Sequence, residues 1–567
     1  MRQKSRHRNP KKLKKRSIYS VLLMIHDSEV VEKFLINNSI RYRQERVHNH
    51  SFLKMLYSHQ NRQSGLLTGK RVLWLFLITA LFCSSLSAAD HPQWGRKYSR
   101  NMVSDETGLP DSFDPATGRN IKWIAPLGTE SYATPVVARG KVLIGTNNEH
   151  PRDPRHKGDR GVLLCLNEDD GSLCWQLIVP KFEPMLYRDW PRTGICSPAT
   201  VEGNRVYIVS NRGEVMCLDL AGQANGNDGP FVDEAHLMSP NPSEPMEVTQ
   251  TDADVIWLFD VQGKLRVHQH DAAHSSILVY GDFLYVNTSN GLNDRHETIP
   301  AYDAPSLIVL DKTTGQLVAQ DDKKIGPKIF HSTWSSPALG QVDGRTLVFF
   351  CGGDGVCYAF DPIREHPSSG VVQKLNRVWR FDCDPNAPKE NVHKYIRNRK
   401  ESPSNIKSTP VFHNGRIYVT YGGDIWWGKN QAWLKCFDAS GTGDITYSGQ
   451  IWTYPVVDHC CSTPSVYNGL VFVADCSGLV HCVDANTGKP CWTYQANGSI
   501  WASTLVADGK VYIGTRSGNF YIFAASREQK LISSVKLDSP ICGTPVAANG
   551  VLYITTMRKL YAVGNKN

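Results

Sequence analysis

One short unit recurs eight times in this sequence, and that repetition limits the fold more than any other feature. The unit opens on Ser/Thr-Pro, passes through apolar residues to a glycine, and runs into an apolar or aromatic stretch. Thr134-Pro135, Ser197-Pro198, Ser336-Pro337, Thr409-Pro410, Thr463-Pro464 and Thr544-Pro545 are clear copies, and Ser275-Ser276 and Ser503-Thr504 are degenerate ones. The stretch Thr463 to Trp492, TPSVYNGLVFVADCSGLVHCVDANTGKPCW, shows the unit whole. Its three β-type runs are separated by Asn468-Gly469 and Ser477-Gly478, turn pairs that mark hairpins. Asp484-Ala485-Asn486-Thr487-Gly488 then turns the chain into a fourth run containing Trp492. Four antiparallel strands per unit, at a spacing of about 40 residues, predict an all-β, eight-bladed β-propeller in which each sheet packs both faces on its neighbours. A helix-pair solenoid would need a 3.6-residue apolar period, and these runs are instead alternating and rich in Val, Ile, Tyr and Thr.

The chain ends predict how the ring closes. The last unit stops at its third run, Lys559-Leu560-Tyr561-Ala562-Val563. The missing turn and fourth run stand near the other end, as Asp114-Pro115-Ala116-Thr117-Gly118 followed by Ile121-Lys122-Trp123-Ile124. The expectation is that this N-terminal strand completes the last blade and locks the ring.

Asp-x-x-Thr-Gly followed by Trp resembles the tryptophan-docking motif of the pyrroloquinoline quinone (PQQ) repeat propellers. That family includes quinoprotein alcohol dehydrogenases and the non-enzymatic propeller lipoprotein of the bacterial outer-membrane barrel-assembly machinery. The resemblance covers roughly 110–567, with Trp123, Trp175, Trp257, Trp379, Trp452 and Trp492 at the docking position. It implies that these side chains wedge between adjacent blades. The motif speaks for the fold and leaves the activity open.

Residues 1–54 hold fourteen Lys/Arg against four Asp/Glu, whereas from Asp90 onward 46 basic residues face 50 acidic ones. The formal charge of +9 therefore belongs to the leader, and a near-neutral body argues against a nucleic-acid binder. Lys70-Arg71, the apolar run 72–83 and Ser87-Ala88-Ala89 read as a secretory signal peptide with cleavage before Asp90. The run falls short of the roughly 20 residues that a membrane span needs. Residues 1–89 are thus expected to be a leader, with Met55 as an alternative start, and 90–567 an exported, monomeric ring without a transmembrane span. Cys165, Cys217, Cys357, Cys436 and Cys482 recur in third strands and read as small buried thiols.

Large insertions at 147–160, 180–194, 287–304, 383–406 and 421–433 are expected on one face, with 221–254 on the other. They bring Trp190, Arg192 and Trp426 to that face, where aromatics mixed with arginine suit a partner protein or a polar ligand. Just before each landmark stand Tyr132, Ile195, Ala273, Trp334, Lys407, Cys461, Trp501 and Cys542, the expected mouth of the axial channel. His274, His331 and His459 lie near this ring on separate blades, too far apart by this reading to share one ion.

The resemblance also suggests a quinoprotein test. The adjacent Cys460 and Cys461 resemble the vicinal pair of those dehydrogenases, and Thr288-Ser289-Asn290-Gly291 resembles their calcium-binding asparagine segment. The matching glutamate is missing from Ser210-Asn211-Arg212-Gly213, and the expected aspartates are missing from Phe330-His331-Ser332-Thr333-Trp334-Ser335. Calcium wants several oxygen ligands and alcohol oxidation wants a base. The reading is therefore a non-catalytic binding or assembly scaffold of the periplasm or cell envelope, with no cofactor. A PQQ- and calcium-dependent alcohol dehydrogenase-like oxidoreductase, with Asn290 on the metal, is the alternative.

Overall fold

In the shortest repeats, turn residues that tolerate left-handed backbone place three hairpins in series, and the hairpins stack into a sheet. In the sixth repeat Asn468 (φ 47°) and Gly469 (φ 75°) join Ser465–Tyr467 to Leu470–Ala474, the twist that a two-residue hairpin loop requires. The computed structural model describes residues 89–565 apart from 183–186, 242, 272–274 and 369. The leader and signal segment, and Ala273 and His274 of the expected mouth, lie outside the described residues.

Eight antiparallel sheets form in chain order over 136–180, 200–260, 278–320, 338–382, 411–456, 465–495, 505–536 and 546–563. The eighth has three strands from its own repeat and takes Ile121–Pro126 as its outer strand, paired antiparallel to Lys559–Val563 with Trp123 opposite Ala562. Blades three and four exceed the four-stranded expectation. Gln373–Lys374 runs parallel to Leu317–Gln320, and Gly443–Asp444 runs parallel to Arg377–Asp382, each supplied by the following blade. Inner strands such as Leu470–Ala474 and Phe283–Asn287 are buried along their whole length, whereas the outer Ile121–Pro126 alternates buried and exposed. The core therefore lies between blades, as both faces of the inner strands demand.

The six tryptophans explain the Asp-x-x-Thr-Gly motif. Each donates its indole N–H to a backbone carbonyl of the next blade: Trp123 to Glu168, Trp175 to Leu220, Trp257 to Lys312, Trp379 to Ala439, Trp452 to Ala485 and Trp492 to Ser526, at 2.8–3.2 Å. The motif's aspartate closes the turn that receives the ring. Asp484 Oδ1 accepts from the Asn486 and Thr487 N–H groups and from the Thr487 hydroxyl. The Arg527 guanidinium on its other oxygen and these turn donors hold its carboxyl down at about 2. The motif's glycine lies under the indole, so a Cβ on Gly488 would stand 2.7 Å from the Trp452 ring.

The recurring cysteines have a cause of the same kind. Cys165, Cys217, Cys436 and Cys482 are the cross-strand partners of Trp175, Trp257, Trp452 and Trp492, and Ala359 and Ala562 fill that place opposite Trp379 and Trp123. A bulky indole requires a small partner there. Cys357 does not share this position, because it pairs with Phe381. All fourteen cysteines among the described residues are free thiols.

The Ser/Thr of the landmark ties blade to blade. Backbone N–H groups of Ser276, Ser336, Thr409, Thr463, Ser503 and Thr544 donate to the hydroxyls of Ser336, Thr409, Thr463, Ser503, Thr544 and Thr134 in turn, at 2.9–3.4 Å. In blade three the landmark is thus Ser276-Ile277, one residue later than Ser275-Ser276. Proline after the hydroxyl residue removes the next N–H, which would otherwise need a partner of its own.

A second feature, absent from the sequence reading, is a belt over 91–106 that visits every blade. His91 exchanges two backbone bonds with Val137, and Pro92 accepts from Val201. The fully buried Arg100 reaches Ser276 and Pro337 of blades three and four. Tyr98 and Ser99 accept from Leu339 and Phe412, the Asn101 amide pairs with both backbone groups of Val466, Met102 and Ser104 bond Val506, and the Ser104 hydroxyl reaches Ala547.

Two stability measurements test this account. Gly488→Ala must accept left-handed backbone, about 1–2 kcal/mol, and overpack Trp452, about 1–3 kcal/mol more. Gly469→Ala has equally left-handed backbone but open space, so thermal unfolding should separate the two, with Gly488→Ala the less stable. The second concerns the belt. Burial lowers the His91 imidazole from 6.5 to about 4, so on acidification the unfolded chain takes up that proton first. Its stabilising contribution is complete above pH 6.5 and declines toward pH 4, by at most about 1.4 kcal/mol per pH unit. His91→Gln should flatten that part of the urea-midpoint profile; an unchanged slope would contradict the buried, neutral imidazole.

Candidate functional site

The first strands surround an axial cavity of about 540 Å³. Landmark hydroxyl residues, among them Ser336, Thr409, Thr463 and Thr544, line it together with Trp94 of the belt. Aromatic residues from the inserted loops and lead-ins line the rest: Tyr187, Trp190, Trp334, Trp426, Trp427 and Trp501. Trp190 and Trp426 remain 40% and 41% exposed, which identifies the open side.

Two cations lie on aromatic faces here. The Lys407 ammonium is 3.3 Å from the centroid of Trp334 and 4.8 Å from that of Trp426, and the Arg516 guanidinium is 3.8 Å from that of Trp501. Lys407 also pairs with the fully buried Asp424, Nζ to Oδ2 at 2.7 Å. The same Oδ2 accepts from Asn405 Nδ2 at 3.0 Å and meets His331 Nδ1 at 2.9 Å, while Oδ1 accepts from the Trp426 and Trp427 N–H groups. Burial works to raise the Asp424 carboxyl, yet Lys407 and His331 hold it well below the ordinary carboxylate range.

Beside this pair three buried imidazoles converge. His270 Nε2 is 3.2 Å from His296 Nε2 and 3.1 Å from His331 Nε2. Asp271 closes the group, with Oδ2 at 3.3 Å from His331 Nε2 and Oδ1 at 3.7 Å from His270 Nε2. Burial, reinforced by the other histidines, lowers His270 well below its usual value and His296 to about 4. Burial raises Asp271, with His331 and Lys407 opposing. His270 and Asp271 come from the lead-in to blade three, His296 from the second-to-third-strand loop of that blade, and His331 from the lead-in to blade four.

The cavity unites Trp190, Trp334, Lys407, Trp426, Cys461 and Trp501 of the residues expected at the binding face. His331 stands behind Trp334, ring centroids 5.1 Å apart. The mouth positions before the landmarks do line the cavity through Tyr132, Trp334, Lys407, Cys461, Trp501 and Cys542, but in blade two Cys196 takes the place expected for Ile195, which is buried in the core. Arg192 is outside the lining and faces Glu130 at 3.8 Å. Cys460 is buried with its thiol on the Ala474 carbonyl at 3.1 Å, so the vicinal pair does not face the cavity as a unit.

Asn290, the metal ligand of the quinoprotein alternative, is committed elsewhere. It is fully buried outside the lining, its Oδ1 accepts from the His268 N–H at 3.2 Å, and its Nδ2 donates to the Ala301 carbonyl at 2.9 Å. A carbonyl oxygen facing an N–H, with imidazoles as the nearest converging ligands, does not fit a calcium ion. His331 is brought to His270 and His296 rather than to His459. The sequence reading missed His270 altogether. His268-Gln269-His270-Asp271, with imidazole and carboxylate adjacent, was the available signal.

A family model described as outer membrane protein assembly factor BamB matches residues 430–528 and 477–566. Over 171 residues the chain is 27% identical to "Alcohol dehydrogenase (quinone), dehydrogenase subunit" of Gluconobacter oxydans (strain 621H), covering 26% of this chain and 18% of that protein. Over 170 residues it is 24% identical to "Quinohemoprotein alcohol dehydrogenase ADH IIB" of Pseudomonas putida, covering 28% and 21%. The chain thus spans about a fifth of the length of these curated relatives. Among solved structures it is similar to BamB from Moraxella catarrhalis, at 14% identity and TM-score 0.46 over 78% of this chain and 97% of that one. It is also similar to a europium-containing methanol dehydrogenase, at 11% identity and TM-score 0.44 over 84% and 98%.

The Asp424 hub makes an asymmetric prediction. Asp424→Ala strands the buried Lys407 ammonium and two backbone N–H groups, a loss of about 3–5 kcal/mol. Lys407→Met leaves the carboxylate with its Asn405, His331 and backbone partners and should cost clearly less. Chemical denaturation of the two variants, with equal losses as the contrary result, decides the point.

Proposed function

Because the chain belongs to the PQQ-repeat β-propeller family, we propose that it is an exported binding or assembly scaffold of the periplasm or cell envelope, non-catalytic and monomeric. It would engage a partner protein or a polar small ligand at the open mouth of the axial cavity. The observation that carries this reading is the make-up of that mouth. Rigidly held aromatic faces with Lys407 and Arg516 stacked on them suit an anionic or aromatic group of a partner, as interface anchors do. Among the described residues no helix is long and apolar enough to cross a membrane, which is compatible with a chain delivered across one by the 70–89 segment.

The alternative, a PQQ-dependent alcohol dehydrogenase-like oxidoreductase, draws on the partial match to the two quinone-linked alcohol dehydrogenases. The arrangement around Asn290 weighs against it. The 330–335 segment itself has no aspartate, and the carboxylates at His331 come from Asp271 and Asp424 of other segments.

One pair of experiments separates the readings. Titration of the full chain with PQQ and Ca²⁺, followed by quinone absorbance and dye reduction with an alcohol panel, should give no turnover. A photo-crosslinking residue at Trp190 should capture a discrete partner from envelope extract, whereas one at Tyr447, 81% exposed in a third-to-fourth-strand connection, should not. Saturable quinone binding with alcohol-dependent turnover would replace the scaffold reading by the enzyme.

A further inference from the structure

The three imidazoles beside the cavity pose a hydrogen-bonding problem that they cannot solve among themselves. His331 Nδ1 faces Asp424 Oδ2, an ionised carboxylate that can only accept. In the neutral ring Nδ1 therefore carries the proton, and Nε2 presents a lone pair. That lone pair points at His270 Nε2, 3.1 Å away, and at the Asp271 carboxylate, 3.3 Å away. His270 Nε2 can donate to His331 or to His296, not to both, although it is within 3.2 Å of each. At most one of the two His270 contacts is then a directed hydrogen bond, and the Asp271 carboxylate sets its own lone pairs against that of His331.

A cation in the middle resolves every one of these contacts. Zinc-like ions hold imidazole nitrogens at about 2.0–2.1 Å, which puts neighbouring donors of a tetrahedral set about 3.3 Å apart. The separations of 3.1, 3.2 and 3.3 Å agree with that spacing, whereas Asp271 Oδ1 to His270 Nε2 at 3.7 Å and the His296–His331 pair, within 4.8 Å, are wider, so these side chains must close slightly around an ion. The outer arrangement is also that of a metal site, since Asp424 fixes the tautomer and ring orientation of one ligand and is itself held by Lys407 and Asn405. Three nitrogens and one carboxylate suit a divalent first-row transition ion rather than calcium.

We propose that His270, His296, His331 and Asp271 form a mononuclear site for such an ion, of which zinc is the representative, at the side of the axial cavity. Asp271 and His296 both line that cavity, so an ion held between them can take a carboxylate or other anionic donor of an incoming ligand. The proposal does not depend on the scaffold reading, because the ion would be held whether or not a partner docks.

The test uses the full chain, stripped with chelator and titrated with Co²⁺ and then Zn²⁺. Cobalt reports its ligands: visible bands of a nitrogen and oxygen set, without the strong near-ultraviolet band of thiolate ligation, are expected at about one equivalent. Zinc should raise the thermal midpoint of the wild-type chain. His296→Gln and His331→Gln should each weaken binding by at least about 100-fold, and Asp271→Asn should weaken it and alter the cobalt spectrum. His296 and Asp271 make none of the Asp424 contacts that hold the loop, so a variant at either keeps the test open if His331→Gln does not fold. Circular dichroism in chelator establishes that each variant is folded. Failure of the folded wild type to bind, thiolate bands from the cysteines, or unchanged affinity in His296→Gln and Asp271→Asn would each overturn the site.

Discussion

The structure depends on how eight inner strands satisfy the backbone groups that face the axis. The first strand of each blade has a sheet neighbour on one side only, and at the centre of a propeller its other edge meets seven edges like itself. Buried N–H and C=O groups left without partners there would cost about 1–3 kcal/mol each. Two devices share the work. The landmark hydroxyls accept N–H groups from blade to blade, as in Thr463 N–H to Ser503 and Thr544 N–H to Thr134. The belt over 91–106 then pairs with the strands themselves, using backbone at Val137 and Val506 and the Asn101 amide as a substitute for backbone at Val466.

That solution decides where ligands can go. Trp94 and Arg100 of the belt are buried among the first strands, and Arg100 spends its guanidinium on Ser276, Pro337 and Trp94. Polar groups on the axis are therefore committed on the belt side. The cavity opens instead among the inserted loops, where Trp190 and Trp426 stay partly exposed. Burial of an arginine is tolerable because its donors find fixed carbonyl and hydroxyl acceptors, the condition under which a buried charge is not a liability.

Much of this was legible in the sequence, for a physical reason. β-rich runs, turn glycines and docking tryptophans are local and repeat, so the blades and the mouth positions Trp334, Lys407, Cys461 and Trp501 follow from counting. The belt was not legible because it is a single extended segment without period: nothing local in His91 to Glu106 states that eight separate strands await it. The histidine cluster escaped for a related reason. His270, His296 and His331 belong to three non-repeating loops, and only the ring places their ends together. Distances along the chain said that histidines of separate blades stand apart, but loops that lean over a common mouth undo that separation. Asn290, a ligand only under the quinoprotein alternative, has its amide in the backbone pairing around Gln269.

Asp424 joins the two halves of the mouth, and its five partners hold the loop there in one arrangement. One oxygen holds the loop backbone at Trp426 and Trp427; the other collects Lys407, Asn405 and His331. Removing any one donor leaves four, so no single thermal excursion frees the carboxylate, and in a low-dielectric surrounding such a network is stiffer than its members taken singly. Lys407 is fixed by the carboxylate on one side and by the Trp334 and Trp426 faces on the other, so its long side chain has already lost its rotamer freedom. A ligand that enters meets aromatic faces, a cation and the His296 and Asp271 side chains already in position. The ordering cost that usually offsets binding at a loop-built surface has then been met by folding.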